Sequence, residues 1–207
     1  MSDQRSAVIV GDMPDHALGL IVSGSSASIG LPAYLMYLRH EADLSLRILL
    51  THSAERFLSR QAVAWYADEV YRHDDEALNP TEFARRCAGL VVLPATANML
   101  SAAALGLAAT PAQTAILAAD QPALFFPAMN AAMWGKPIIQ RHVAALRGDG
   151  HMVIEPQPQQ VYEFWRRDFV VGPAMPPPDV AIDIIITWLE HGELAAAEPD
   201  PAAARLI

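Results

Sequence analysis

The chain has 207 residues, 53% of them hydrophobic, and its 23 acidic residues against 14 basic ones give a formal charge of −9. That length buries one ordinary core and is short for two. The charge excludes a nucleic-acid binder, which needs a positive footprint, and the only dense basic points are Arg85-Arg86 and Arg166-Arg167. The single cysteine, Cys87, cannot close an internal disulfide. The opening MSDQRSAVIVGDMPD lacks secretory features, and no apolar run reaches the roughly 18 residues of a membrane span. A soluble cytoplasmic protein is expected.

The first predicted element is ALGLIVS, 17–23, a strand-length apolar run stopped by Gly24-Ser25-Ser26. A helix is predicted over 27–40, with Ile29, Ala33, Leu35 and Leu38 facing inward. LSLRILLT, 44–51, reads as a second strand ending at Thr51-His52-Ser53, followed by a helix over 54–68 that Ser53 can cap. Asn79 can cap a helix with Pro80 at its first position and Glu82 at its third, where Glu82 can close a capping box. Phe83 and Cys87 then share a helix face. GLVVLPAT, 89–96, is a buried strand, 98–109 a helix and 123–126 a further strand ending at Pro127.

Residues 137–147 are predicted helical, and 153–154 a brief strand. The stretch 156–178, rich in Gln and Pro, reads as loop, and Asp179 opens a last helix to Leu189. One domain is expected over 1–190, with 191–207 a disordered tail. Strands alternating with helices, and apolar runs without alternation, indicate an α/β domain with a mainly parallel sheet covered on both faces. The polar motifs follow the C-terminal ends of the strands, the edge where ligands bind in open parallel sheets.

At that edge, Gly24, Ser25 and Ser26 read either as a plain turn or as a phosphate cradle. The spaced glycines of the dinucleotide fingerprint and the GK[ST] of a P-loop are both missing. Thr51 and Ser53 offer further hydroxyls or ordinary caps, and His52 is a loop residue or a catalyst. The other histidines show no ligand spacing, so no metal site is predicted. Pro94-Ala95-Thr96-Ala97-Asn98 has small side chains that let a flat ring approach the backbone, and an amide for a carboxylate or carbonyl. Pro127-Ala128-Met129-Asn130, followed by Met133-Trp134, repeats that pattern at the next strand end.

PATAN at 94–98 resembles the PASANT motif of the homo-oligomeric flavin-containing cysteine decarboxylases, and PAMNAAMW at 127–134 resembles their PxMNxxMW motif. The resemblance spans roughly residues 17 to 156 and includes Gln140-Arg141, GSS at 24–26 and THSAERF at 51–57. It implies a Rossmann-like, flavodoxin-type three-layer sandwich binding FMN, in trimers that can build dodecamers. It further implies oxidation of a cysteine thiol to a thioaldehyde, loss of the neighbouring carboxylate and an enethiol product, the flavin supplying the redox step.

Under that resemblance Gly24, Ser25, Ser26, Thr51 and Ser53 hold the phosphate and ribityl side. Pro94, Ala95, Thr96, Ala97, Asn98 and Met99 contact the ring. Asn98 and Asn130 orient the substrate, and Met133 and Trp134 shape the pocket wall. Two departures stand out. The position of the family's active-site histidine holds Pro80, so a proton-transfer role is absent, moved to His52 or His73, or not needed. Residues 157–178 lack the cysteine that pantothenate-pathway members use to reduce the enethiol, while Tyr162, Phe164, Trp165 and Arg166-Arg167 suit a clamp on a peptide C-terminus. The resemblance thus implies a decarboxylase acting on the C-terminal cysteine of a ribosomally made precursor peptide. The alternatives are a non-catalytic FMN-binding regulatory or partner subunit, or an enzyme acting on a small cysteine conjugate. The alanine-rich tract 101–119 is the candidate subunit contact.

Overall fold

The computed structural model describes residues 17–191. Five apolar runs and one short, more polar segment pair as a six-stranded parallel sheet in the order β3-β2-β1-β4-β5-β6. These strands are β1 (Ala17–Val22), β2 (Leu46–Leu50), β3 (Glu69–Arg72), β4 (Cys87–Ala95), β5 (Leu124–Pro127) and β6 (Met152–Val153). The side-chain alternation of a strand divides the core into two layers. Leu18, Leu20, Val22, Ile48, Leu93 and Phe126 face α1 (Leu31–Glu41) and α8 (Pro178–His191), through Leu31, Leu35, Ile182, Ile185 and Trp188. Ile21, Leu49, Val92 and Phe125 face the other way, against Phe83, Leu100, Ala115 and Val143. Those four come from α3 (Pro80–Arg85), α4 (Ala97–Ala104), α5 (Pro111–Ala118) and α7 (Pro137–Gly148). The result is the Rossmann-like, flavodoxin-type α/β sandwich expected from the sequence.

The structure corrects several elements. The segment after Ser25 is a 3-10 helix, Ser26–Gly30, whose tighter winding leaves Ile29 exposed; the α-helix begins only at Leu31, with Tyr34, Leu35 and Leu38 buried and Ala33 partly so. The single helix expected over 54–68 is a 3-10 turn (Ala54–Arg56) and one α-turn, α2 (Arg60–Val63). Its cap is Ser59, whose hydroxyl accepts from the Ala62 amide, while Ser53 makes no capping bond. Strand β3 was not expected: it completes the free side of β2, and Asp68 anchors the entry by accepting from the Leu46 amide at 2.7 Å.

Asn79 caps α3 as expected, its Oδ1 accepting from the Thr81 and Glu82 amides at 3.1 Å. The Glu82 carboxylate accepts instead from Arg86, at 3.0 Å. Cys87 opens β4 and is not helical, yet its thiol still donates to the Phe83 carbonyl at 3.0 Å. Helix α4 stops at Ala104, before Gly106 at φ +63, and not at Ala109. Helix α5, capped by Thr110, lies within the alanine-rich tract and was not expected.

The stretch 156–178 is no loop. It forms an antiparallel hairpin, β7 (Gln157–Glu163) and β8 (Asp168–Ala174), before α8. The Tyr34 hydroxyl donates to the Pro176 carbonyl at 2.8 Å, tying α1 to the chain that leaves the hairpin. The expected tail lies outside the described residues. Among the described residues no helix is long and apolar enough to cross a membrane.

Candidate active site

The loops leaving β1, β2, β4 and β5 meet at the C-terminal edge of the sheet and are bonded to one another by their backbones. The Thr51 amide donates to the Val22 carbonyl at 3.1 Å, the Ser23 amide to Pro94 at 3.3 Å, and the Ala128 amide to Ala95 at 2.9 Å. Ser23, the last residue of the first apolar run, is central to this edge. Its buried hydroxyl donates to the Pro94 carbonyl at 2.8 Å and accepts from the Thr96 amide at 2.9 Å. Ser28 bonds back to the Ser23 carbonyl at 2.9 Å. The signal in the sequence was a hydroxyl directly after an apolar run, where a buried polar group needs partners.

The predicted phosphate-side residues gather here. Gly24 lies so close to Ser53 that a side-chain carbon at 24 would sit 2.4 Å from Ser53 Cβ. Ser25 caps the 3-10 helix by accepting from the Ala27 amide, and Thr51 Oγ1 stands 3.4 Å from Ser53 Oγ. In the 94–99 segment, Pro94, Ala95, Ala97 and Met99 are buried, with the Met99 side chain in the core. Thr96 and Asn98 remain to present side chains, and Thr96 also caps α4 through the Met99 amide.

A cleft of about 970 Å³ opens between this edge and the hairpin. Ser25, Ser26 and Asn130 line one wall, and Tyr162, Phe164, Trp165 and Arg166 the other. Asn130 caps the short α6 (Ala131–Trp134), its Oδ1 accepting from the Met133 amide at 2.9 Å, so the amide nitrogen is what it can offer a ligand. Arg166 stacks over Trp165 with its Cζ 4.8 Å from the ring centre, and its Nε forms an ion pair with Glu163 at 2.9 Å. Burial pushes the Tyr34 hydroxyl above its ordinary pKa, so beneath the cleft it is a neutral donor.

Not every predicted residue lines this cleft. Met133 is exposed, and Trp134 packs partly on the core while its carbonyl accepts from Gln140 at 2.7 Å. Asn98 is exposed on the first turn of α4. His52 and His73, 21 positions apart in sequence, come together with ring centres 4.7 Å apart, beside Glu55. Sequence spacing gave no hint of that grouping, because it forms across the ends of two neighbouring strands. Pro80 stands at the first position of α3, where it offers no proton-carrying group.

Comparison with known proteins agrees with this architecture. The chain is 33% identical over 154 residues to mersacidin decarboxylase of Bacillus sp. (strain HIL-Y85/54728), covering 73% of this chain and 79% of that protein. It is 31% identical over 141 residues to the phosphopantothenoylcysteine decarboxylase of Mus musculus, covering 64% and 69%. The crystal structure of the FMN-dependent cysteine decarboxylase SpaF superposes with a TM-score of 0.71 at 27% identity, over 86% of this chain and 98% of that one. Residues 10–190 match the Flavoprotein family, and with the fold and edge motifs described above, the chain belongs to that family.

Proposed function

We propose that this protein is an FMN-dependent cysteine decarboxylase acting on the C-terminal cysteine of a ribosomally made precursor peptide. The observation that carries the reading is the cleft between the Ser25–Asn130 edge and the aromatic hairpin. The residues fit an FMN phosphate: Gly24, having no side chain, lets the turn after β1 pack directly on Ser53, which brings Ser25 and Ser26, next along that turn, toward the paired hydroxyls of Thr51 and Ser53. When bound, FMN supplies the two-electron oxidation that makes the cysteine carboxylate a leaving group.

The chain's own residues bind and orient. The Asn130 amide nitrogen and the exposed Asn98 amide are donors for a substrate carboxylate or carbonyl. Trp165 and Tyr162 offer flat surfaces to a peptide, and the guanidinium of Arg166, already held by Glu163, keeps further N–H groups for a carboxylate. No step is assigned to His52 or His73, whose rings face each other beside Glu55. Exposed Leu105, Leu107 and Leu117 of the alanine-rich tract are assigned to contact between subunits of a homotrimer or dodecamer. Residues 1–190 are read as one FMN-binding domain.

Incubation with a panel of Cys-terminal peptides that includes the native precursor should yield a product lighter by one CO2 and two hydrogens. A C-terminal serine control should be unchanged. Turnover of phosphopantothenoylcysteine or another small cysteine conjugate without turnover of any peptide overturns the substrate assignment. Pro80 favours one second reading, a non-catalytic FMN-binding partner subunit. Anaerobic bleaching of bound flavin by a Cys-terminal peptide separates the two, because a binding module leaves the flavin oxidised.

A further inference from the structure

We propose that His52, Glu55 and His73 form a binding site for a divalent transition-metal ion of the zinc class. The three residues converge because β2 and β3 are neighbouring parallel strands with Leu50 paired to Arg72. The residues just beyond those ends, His52 and His73, therefore emerge side by side, and the 3-10 turn after β2 brings Glu55 between them.

One donor atom from each residue lies within 4.8 Å of the others. His73 Nδ1 is 3.1 Å from Glu55 Oε2, and the two imidazoles meet edge to face at 4.7 Å. Two imidazoles and one carboxylate suit zinc and its neighbours better than calcium or magnesium, which prefer all-oxygen sites. Zinc-class bonds to imidazole nitrogen and carboxylate oxygen run about 2.0–2.2 Å, so the three donors must draw closer together around an ion than they stand here. Glu55 and His73 are partly buried and already paired, while His52 is exposed and free to swing inward. Arg72 pairs with the other oxygen of Glu55, orienting the carboxylate with Oε2 toward the site. Asp74 Oδ1, 3.9 Å from His73 Nδ1 and exposed, or a water, can complete four-coordination. Such an ion would clip the β2 exit, which carries Thr51 and Ser53, to the β3 exit.

The site is independent of the decarboxylase reading, and its test does not use turnover. Full-length protein carrying no tag, stripped of metal with a chelator, is titrated with Co2+ at wavelengths beyond flavin absorption, and then with Zn2+. The expected result is one Co2+ per chain, displaced by Zn2+. Affinity should fall at least about tenfold in His52→Ala, His73→Ala and Glu55→Gln. His52→Ala removes an exposed side chain, so it reports on the site even if a second variant folds poorly. Zn2+ should raise the melting temperature of the wild type and not of His52→Ala. No saturable uptake by the wild type, or undiminished uptake in His52→Ala, overturns the proposal.

Discussion

Substituting Gly24 by alanine directly tests the close approach of the two turns proposed to hold the phosphate. The new carbon would lie 2.4 Å from Ser53 Cβ, 2.5 Å from Ser53 Oγ and 2.6 Å from the Ser53 carbonyl carbon. Carbon atoms rest at about 3.5–4.0 Å, so the two turns must part by roughly 1 Å. They cannot part freely, because β1 and β2 are paired up to Val22 and Leu50 and the Thr51 amide continues the ladder onto Val22. Overpacking of this kind costs about 1–3 kcal/mol. In a domain of this size that lowers the melting temperature by about 2–4 °C per kcal/mol. Because the displaced groups are the hydroxyls and amides proposed to hold the phosphate, the FMN dissociation constant should rise by about tenfold or more, at about 1.4 kcal/mol per decade. Flavin-fluorescence titration and thermal unfolding of the cofactor-free protein read the two effects. Adding Ser53→Gly removes the clashes with Cβ and Oγ but leaves the backbone carbon, so rescue should be partial. Unchanged FMN affinity in Gly24→Ala, or full rescue in the double variant, refutes the reasoning.

Ser23→Ala removes one donor and one acceptor from a buried edge and should cost about 1–3 kcal/mol, seen as a lower urea midpoint at unchanged slope; a loss below about 0.5 kcal/mol would mean that other groups satisfy Pro94 and Thr96. Asn79→Ala uncaps α3 and should cost about 1 kcal/mol by the same measurement, with Asn79→Asp close to wild type. Burial pushes the Cys87 thiol from an ordinary value near 9 up to about 11. The folded form therefore holds its proton where the unfolded chain loses it. Stability from this group is intact below pH 9 and falls as pH rises through 11, by about 2–3 kcal/mol in all. Cys87→Ala should flatten the alkaline unfolding curve relative to wild type, and an identical slope would refute the assignment.

The strands buried on both faces were legible because each is a largely apolar run closed by Gly-Ser, Thr-His or Pro, with only Arg47 breaking the run of β2. Strand β3 was not: Glu69, Tyr71 and Arg72 are only partly buried at the sheet edge, so the segment carries no apolar signature. The hairpin escaped for a related reason. A two-stranded ribbon has no core face to impose alternation, and Pro158 and Pro173, which pair with each other, look like breakers. Helix α5 has a readable start in Thr110-Pro111 but was submerged in an alanine-rich tract. At the site, the two strand-end motifs were plain. Ser23 and Tyr34 were not, because their partners lie 71 and 142 residues away. A grouping such as His52 with His73 needs the strand register before it can be seen.

The edge bonds among Ser23, Pro94, Ala95 and Ala128 give the cleft two walls of unequal firmness. The sheet-edge wall extends the hydrogen-bonded core by one more rung, so its amides should exchange with solvent only when the whole domain opens. The facing hairpin is a two-stranded ribbon, and ribbons alone are marginal in water. Its aromatic face, with Phe164, Trp165 and Phe169 well exposed, has little core beneath it to hold it. Ordering entropy on ligand capture therefore falls on the hairpin and hardly at all on the edge. Affinity for the cofactor should track the stability of the fold, while affinity for the second ligand should track that of the ribbon.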